Sequence, residues 1–160
     1  MILVTKSFEF EACHHLPLYK GACHNMHGHS YKLDVTVKGR IIEDVENPKC
    51  GMILDFKDLK RIVKENVIDF YDHSNLNDYF NNPTAETMVR QIGDTIHKHL
   101  PEGVELVSCK LWETSTSYAE YNPELDKMYE RLSYLEHLLY GGDRKSVDKA
   151  IETFHSLHKS

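Results

Sequence analysis

The strongest constraint on the fold is an alternation across residues 29–40. Tyr31, Leu33, Val35 and Val37 fall on one side, and Lys32, Asp34, Thr36 and Lys38 on the other. A period of two sends successive side chains to opposite faces of a pleated strand, so this segment is a half-buried strand of an antiparallel sheet. Residues 6–12 repeat the pattern, with Phe8 and Phe10 opposed to Glu9 and Glu11, and a long loop through Pro17, Gly21 and Cys23 joins the two strands. A sheet with one apolar face needs a cover, and the following segments supply it. Asp55 is a candidate N-cap for a helix with Phe56, Leu59, Ile62, Val63 and Val67 inward. Asn82-Pro83-Thr84 opens a second helix, whose Met88, Val89, Ile92, Ile96 and Leu100 recur at helical spacing up to Pro101. Residues 72–78 between them read as a polar loop. Residues 104–112 are rich in strand formers, and 115–121 form a candidate fourth strand. The order β-β-α-α-β-β predicts an α+β domain over residues 1–121, with two helices on one face of an antiparallel sheet.

Residues 122–160 differ in character. Asn122-Pro123 is a helix start, and Leu125, Met128, Leu132, Leu135, Leu138 and Leu139 follow at helical spacing up to Gly141-Gly142. Residues 146–158 predict a last short helix with Val147, Ile151, Phe154 and Leu157 inward. This stretch carries no chemical motif, and its expected role is a helical extension packed on the same domain, around the outside of an oligomer.

Composition narrows the function. A chain of 160 residues with 41% hydrophobic and 28% charged residues is globular. A net charge of −6 with both signs interspersed argues against nucleic-acid binding by bulk charge. Apolar runs of only a few residues predict no membrane span, and the N-terminus lacks the pattern of a signal peptide, so the expected location is cytoplasmic. There Cys13, Cys23, Cys50 and Cys109 are expected as thiols rather than disulfides.

Eleven histidines stand out, five of them (His14, His15, His24, His27 and His29) within the first 30 residues. On an extended segment His27-Gly28-His29 places both imidazoles on one face, and His14 or His15 from the preceding strand can supply a third. Three histidines with an open fourth position suit a catalytic zinc ion. Cys23, four residues before His27, has three readings: a base or nucleophile beside the cation, a fourth ligand closing a structural site, or an ordinary buried thiol. Spacing leaves these open. In Asp72-His73 a carboxylate beside an imidazole can set its tautomer for proton relay, although such pairs are commonly just solvated. Glu113, ending a strand, can hold a guanidine-like group through paired hydrogen bonds or simply face solvent. Thr84 is an N-cap and Glu86 a first-turn charge.

In order along the chain stand Phe10-Glu-Ala-Cys-His14, Cys23-x-x-x-His27-Gly-His29-Ser-Tyr, Gly51-Met-Ile-Leu-Asp-Phe-Lys-Asp-Leu-Lys60, Asp72-His73 with Leu76-Asn-Asp78, Asn82-Pro-Thr-Ala-Glu86 and Glu113-Thr114. Together, over residues 5–120, they resemble the pterin synthase family, which contains the 6-pyruvoyltetrahydropterin and 6-carboxytetrahydropterin synthases. The gap of three residues between Cys23 and His27 resembles the carboxy branch, since animal-type pyruvoyl enzymes carry a longer one. The resemblance implies the tunnelling fold, a homo-oligomer whose sheets close into a barrel, and active sites at subunit boundaries. It implies zinc on His14, His27 and His29, with His15 at a position that is usually no ligand. It implies Cys23 as the proton-abstracting base, Asp72 and His73 as a second acid–base group from a neighbouring subunit, and Glu113 anchoring the pterin or joining His73 in the relay. Thr84 would help to hold the ring. The implied substrate is 7,8-dihydroneopterin triphosphate and the implied product 6-carboxy-5,6,7,8-tetrahydropterin, with acetaldehyde and triphosphate released, in queuosine or related deazapurine biosynthesis. A pyruvoyl synthase that only eliminates triphosphate is the alternative, followed by a non-catalytic zinc-stabilised interaction module with Cys23 as fourth ligand. Cys13 and His15 depart from the family pattern, and the resemblance does not reach residues 122–160.

Overall fold

Two long strands, β1 (Ile2–His14) and β2 (His27–Gly39), pair antiparallel along their whole length, from Ile2 opposite Gly39 to His14 opposite His27. The structure, a computed structural model, describes residues 2–141. After β2 come α1 (Phe56–Val63), a π-helical turn over Lys64–Ile68, α2 (Asp69–Tyr71), the two-residue β3 (Ser74–Asn75) and α3 (Ala85–His99). β4 (Val104–Thr114), β5 (Ser117–Tyr121) and α4 (Pro123–Gly141) complete the order. The five-stranded sheet runs β3-β1-β2-β4-β5, antiparallel except for the β3–β1 pair. The β-β-α-α-β-β order expected from periodicity is therefore present, in an α+β arrangement.

Local chemistry accounts for the helices. Asp55 caps α1 by accepting from the Lys57 N–H at 2.7 Å; Leu59, Val63 and Val67 are buried in the core cluster, and Ile62 is buried too. Phe56, expected inward, is exposed: it is the first helical residue, a turn ahead of Leu59, and Lys6 lies 5.7 Å from its ring centre. Thr84 caps α3 by accepting from the Thr87 N–H at 3.3 Å. Residues 72–78, expected as a polar loop, instead form β3 and a 3-10 turn (Leu76–Asp78) that buries Leu76 completely. The side chain of Leu76 outweighs its polar neighbours, because full burial of a leucine contributes about 1.5–3 kcal/mol.

Leu33, Val35 and Val37 of β2 meet Leu111, Cys109 and Leu106 of β4, all buried. The partners of Val37 and Thr36 are Leu106 and Ser108, so Val107 is an extra residue. This β-bulge shifts the inward set of β4 by one, from Leu106 to Cys109 and Leu111, and makes Glu113 the next residue on that face. Burial pushes the Cys109 thiol up to about 12, so it is an inert apolar filler. The opposite face is polar, with cross-strand contacts such as Ser7 donating to Asp34 at 2.6 Å and the Trp112 indole donating to Asp34 at 2.9 Å.

Gly93 lies where α3 approaches β5. A methyl group at Gly93 would stand 2.3 Å from the Tyr121 ring, whose hydroxyl donates to Asp94 at 2.7 Å. Gly93→Ala should therefore lower stability by about 1–3 kcal/mol in urea unfolding, despite alanine's better helix propensity. A more stable variant would show that the ring moves aside freely.

By internal contacts, residues 1–123 form one compact unit and the chain from Glu124 onward a second. α4 starts at Pro123, as expected, and runs to Gly141. Gly142 and the helix expected over residues 146–158 lie outside the described residues. Among the described residues no helix is long and apolar enough to cross a membrane.

Candidate active site

The inward face of the β1–β2 hairpin changes chemistry along its length. Phe10 pairs with Tyr31, Ala12 with His29 and His14 with His27, so the period that buries Leu33 and Val35 also delivers three imidazoles to one end. Phe10 and Tyr31 stack at 5.0 Å beneath them. The ring centres are 4.5 Å apart for His14–His27, 4.9 Å for His27–His29 and 5.2 Å for His14–His29. One ring nitrogen from each lies within 4.8 Å of the others.

Hydrogen bonds set the tautomers. A carbonyl can only accept, so His14 Nδ1–H donates to the Pro83 carbonyl at 2.8 Å and His27 Nδ1–H to the Asn25 carbonyl at 2.8 Å. Each leaves the Nε2 lone pair unused. The Nε2 atoms of His14 and His29 are buried without a hydrogen-bond partner. Orphaned buried nitrogens cost free energy unless something binds them, and three converging imidazoles, two of them with the outer nitrogen held by a carbonyl, suit a divalent zinc ion. The residues present fit that metal.

Burial, chiefly, holds the His14 imidazole below its ordinary 6.5; the charge on His27 acts the same way, against the opposing pull of the Pro83 carbonyl and Glu113. Burial likewise lowers His29, against the pull of Glu113. Both are neutral near pH 7, so the approaches of Glu113 Oε1 to His14 Nε2 (3.4 Å) and to His29 Nε2 (3.7 Å) are not ion pairs there. The sign of the pH effect follows. Below 6.5 the unfolded chain takes up protons that the folded histidines resist, so the metal-free protein loses stability as pH falls through that value. Above it these groups contribute no pH dependence. Thermal unfolding across about pH 5–8 checks this, and a midpoint that rises on acidification would refute it.

The other expected site residues are placed by different elements. Cys23 sits in a single 3-10 turn (Ala22–His24) between β1 and β2, half-buried and unbonded to another cysteine. It is not a member of the three-histidine group. Asp72 and His73 are clipped to the outer edge of β1. Asp72 accepts from the Glu11 N–H at 3.0 Å, the His73 N–H donates to the Glu11 carbonyl at 2.6 Å, and His73 Nδ1 meets Asp72 Oδ1 at 2.9 Å. The Glu11 N–H, followed by His73, draws the Asp72 carboxyl below the usual range. His73 has a left-handed backbone (φ 57°) and is 79% exposed. A groove of about 480 Å³ carries both His73 and His29 on its lining, with Glu11 and Cys13. The Asp72 N–H also donates to the Ile68 carbonyl at 2.9 Å. One chain thus joins His14, His27, His29 and Glu113 by contact, and sets His73 on the lining of the groove that His29 shares.

Three features escaped sequence reasoning. The Asn77 amide clamps the backbone of His15 with two 2.9 Å hydrogen bonds, fixing the end of β1 beside His14. The carbonyl of Pro83, next to the capping Thr84, orients His14. The Tyr31 hydroxyl is buried without a partner, and burial, then Glu113, keeps it protonated. Asn77 stood in a quoted motif without a role; a backbone carbonyl leaves no side-chain signal at all. A cavity of about 750 Å³ lies at the far end of β2, lined by Lys38, Arg40, Lys49 and Ile53. It is larger than the groove at His29, yet Lys38 and Lys49 are engaged by Glu105 and Asp58. The convergent chemistry is at the histidines.

The fold and site define an α+β protein whose mostly antiparallel sheet carries at one end three converging imidazoles that could hold a metal ion, with a carboxylate beside them. Residues 3–124 match the family described as 6-pyruvoyl tetrahydropterin synthase. The chain belongs to that family and is, by that membership, a pterin synthase. It is similar to 6-carboxy-5,6,7,8-tetrahydropterin synthase of Haemophilus influenzae, 34% identical over 143 residues, covering 76% of this chain and 99% of that protein. Dihydroneopterin monophosphate aldolase of Pyrococcus furiosus is 35% identical over 117 residues, covering 73% of this chain and 90% of that protein. The structure of 6-pyruvoyl tetrahydropterin synthase from Caenorhabditis elegans shares the fold with a TM-score of 0.64 at 24% identity, covering 76% of this chain and 94% of that one.

Proposed function

We propose that this chain converts 7,8-dihydroneopterin triphosphate and one water into 6-carboxy-5,6,7,8-tetrahydropterin, releasing acetaldehyde and triphosphate. It does so as a cytoplasmic zinc enzyme of queuosine or related deazapurine biosynthesis, a carbon–carbon lyase. The observation that carries the reading is the group of His14, His27 and His29, with Nδ1 protons held by carbonyls on two of them and buried Nε2 atoms left unpaired on two. The likeness to a relative named for the carboxy product supports the choice of branch.

Zinc on the three histidines would polarise the oxygens of the substrate side chain and acidify the neighbouring C–H bonds. Cys23, in the turn just before His27, takes the proton from the side-chain carbon as thiolate. His73, its Nδ1 held by Asp72, is the second acid–base group and returns or removes protons on the other side. Asp72 and His73, held at the Glu11 backbone, are delivered to the site of a neighbouring subunit in a homo-oligomer. The Glu113 carboxylate, beside the histidines, accepts paired hydrogen bonds from the guanidine-like edge of the pterin. Thr84, whose hydroxyl caps α3, holds the ring through its backbone beside Pro83. Residues 1–121 carry this chemistry, and residues 122–160 serve assembly.

The test is mass spectrometry of products from 7,8-dihydroneopterin triphosphate with the zinc-loaded protein, trapping acetaldehyde. The carboxy product with acetaldehyde is the expected result. A pyruvoyl product without acetaldehyde would move the chain to the sister branch. Turnover of dihydroneopterin monophosphate alone would align it with the archaeal aldolase, and no turnover with zinc bound would make it a zinc-stabilised module.

A further inference from the structure

The family match ends at residue 124, where α4 has just begun. Of its apolar residues, Leu138 is buried, and Leu125, Met128, Leu132, Leu135 and Leu139 are spaced by three and four in turn. Leu125, Met128, Leu132 and Leu139 are each more than half exposed, in a segment almost wholly beyond the family match. The far side carries Asp126, Lys127, Glu130, Ser133, Tyr134 and His137. Alternating steps of three and four keep an apolar seam facing one partner helix, with Leu125, Leu132 and Leu139 at the first core position and Met128 and Leu135 at the second.

The flanks of the seam indicate the partner. In a parallel pair, a residue just before a first core position lies beside the residue just after a second core position, five places further on in the other helix. Here those residues are Arg131 and Glu136. Two copies side by side and in register therefore place Arg131 of each opposite the partner subunit's Glu136, twice by symmetry. A seam within 19 residues is too short to hold two free chains in water. It is long enough where the copies are tethered and effective concentration is high. That step rests on the homo-oligomer reading above. We propose that α4 forms a parallel, in-register pair with α4 of a second copy of this chain, clamping the C-terminal ends of neighbouring subunits together.

Thiol crosslinking of the full chain tests this. Cys50 is exposed and is first replaced by serine, and that parent serves as the blank. Leu135→Cys, in the seam, is expected to give covalent dimers at least about tenfold faster than His137→Cys on the far side, the difference between a fixed contact and chance collision. Arg131→Glu should slow the seam crosslink, and Arg131→Glu with Glu136→Arg should restore it. Equal rates at 135 and 137, absence of the 135 crosslink, or failure of the charge swap to restore it would overturn the pairing. Native mass of the parent separates the two readings. A monomer refutes the homo-oligomer itself and the pairing with it, whereas an oligomer without the 135 crosslink refutes only the pairing. Product formation by each variant shows that the pterin synthase domain is intact.

Discussion

A His14→Ala chain is expected to fold and to lose its zinc. The imidazole is 1% exposed and donates to the Pro83 carbonyl 69 residues away in sequence, so its loss leaves a small cavity and an unpaired acceptor. That costs about 1–3 kcal/mol, within what a domain of this size tolerates. The metal fares worse. Removing a group that merely orients a ligand costs about 10–100-fold in affinity, so removing the ligand should exceed that range. Cobalt titration followed by visible absorption reads the affinity, and urea unfolding reads the fold. His15→Ala is the control, because only backbone atoms of His15 are clamped by Asn77, and it should keep the metal. Full retention of metal by His14→Ala would remove the three-histidine site from the account.

Replacing Cys23 by alanine is expected to separate chemistry from structure. The thiol sits in a short turn, half-buried, outside the group of nitrogens that converge. Cys23→Ala should therefore keep zinc and the unfolding midpoint while turnover falls about 10²–10⁴-fold, the usual contribution of a positioned base. Loss of zinc together with loss of fold would make Cys23 the fourth ligand and the site a closed structural one. Loss of neither zinc nor turnover would send the search for the base to the Asp72–His73 pair.

Much of this architecture is legible in periodicity. The residues spaced by two in β1 and β2, and by three and four in α1 and α3, are the buried ones, because burial against a single sheet face selects one side of each element. Residues 72–78 resisted that reading. Their polar composition suggests solvent, but Leu76 anchors them in the core and Asp72 bonds to the edge of β1. Val107 resisted it as well, since a bulge is defined by the partner strand and not by the strand that contains it.

The sequence by itself determined that two strands of period two end in histidines, since residues 10, 12 and 14 share a face, as do 27, 29 and 31. It also placed Cys23, Asp72, His73 and Glu113 among groups able to move or hold protons, through their chemistry and their order in the chain. Tertiary structure alone decided which of them meet. The register that sets His14 against His27, the bulge that turns Glu113 inward and the Pro83 carbonyl that fixes the His14 proton are contacts between distant segments. Such contacts depend on how whole elements pack, and local periodicity carries no record of them. The clip of Asp72–His73 to the Glu11 backbone belongs to the same class, because it joins segments 61 residues apart in the chain.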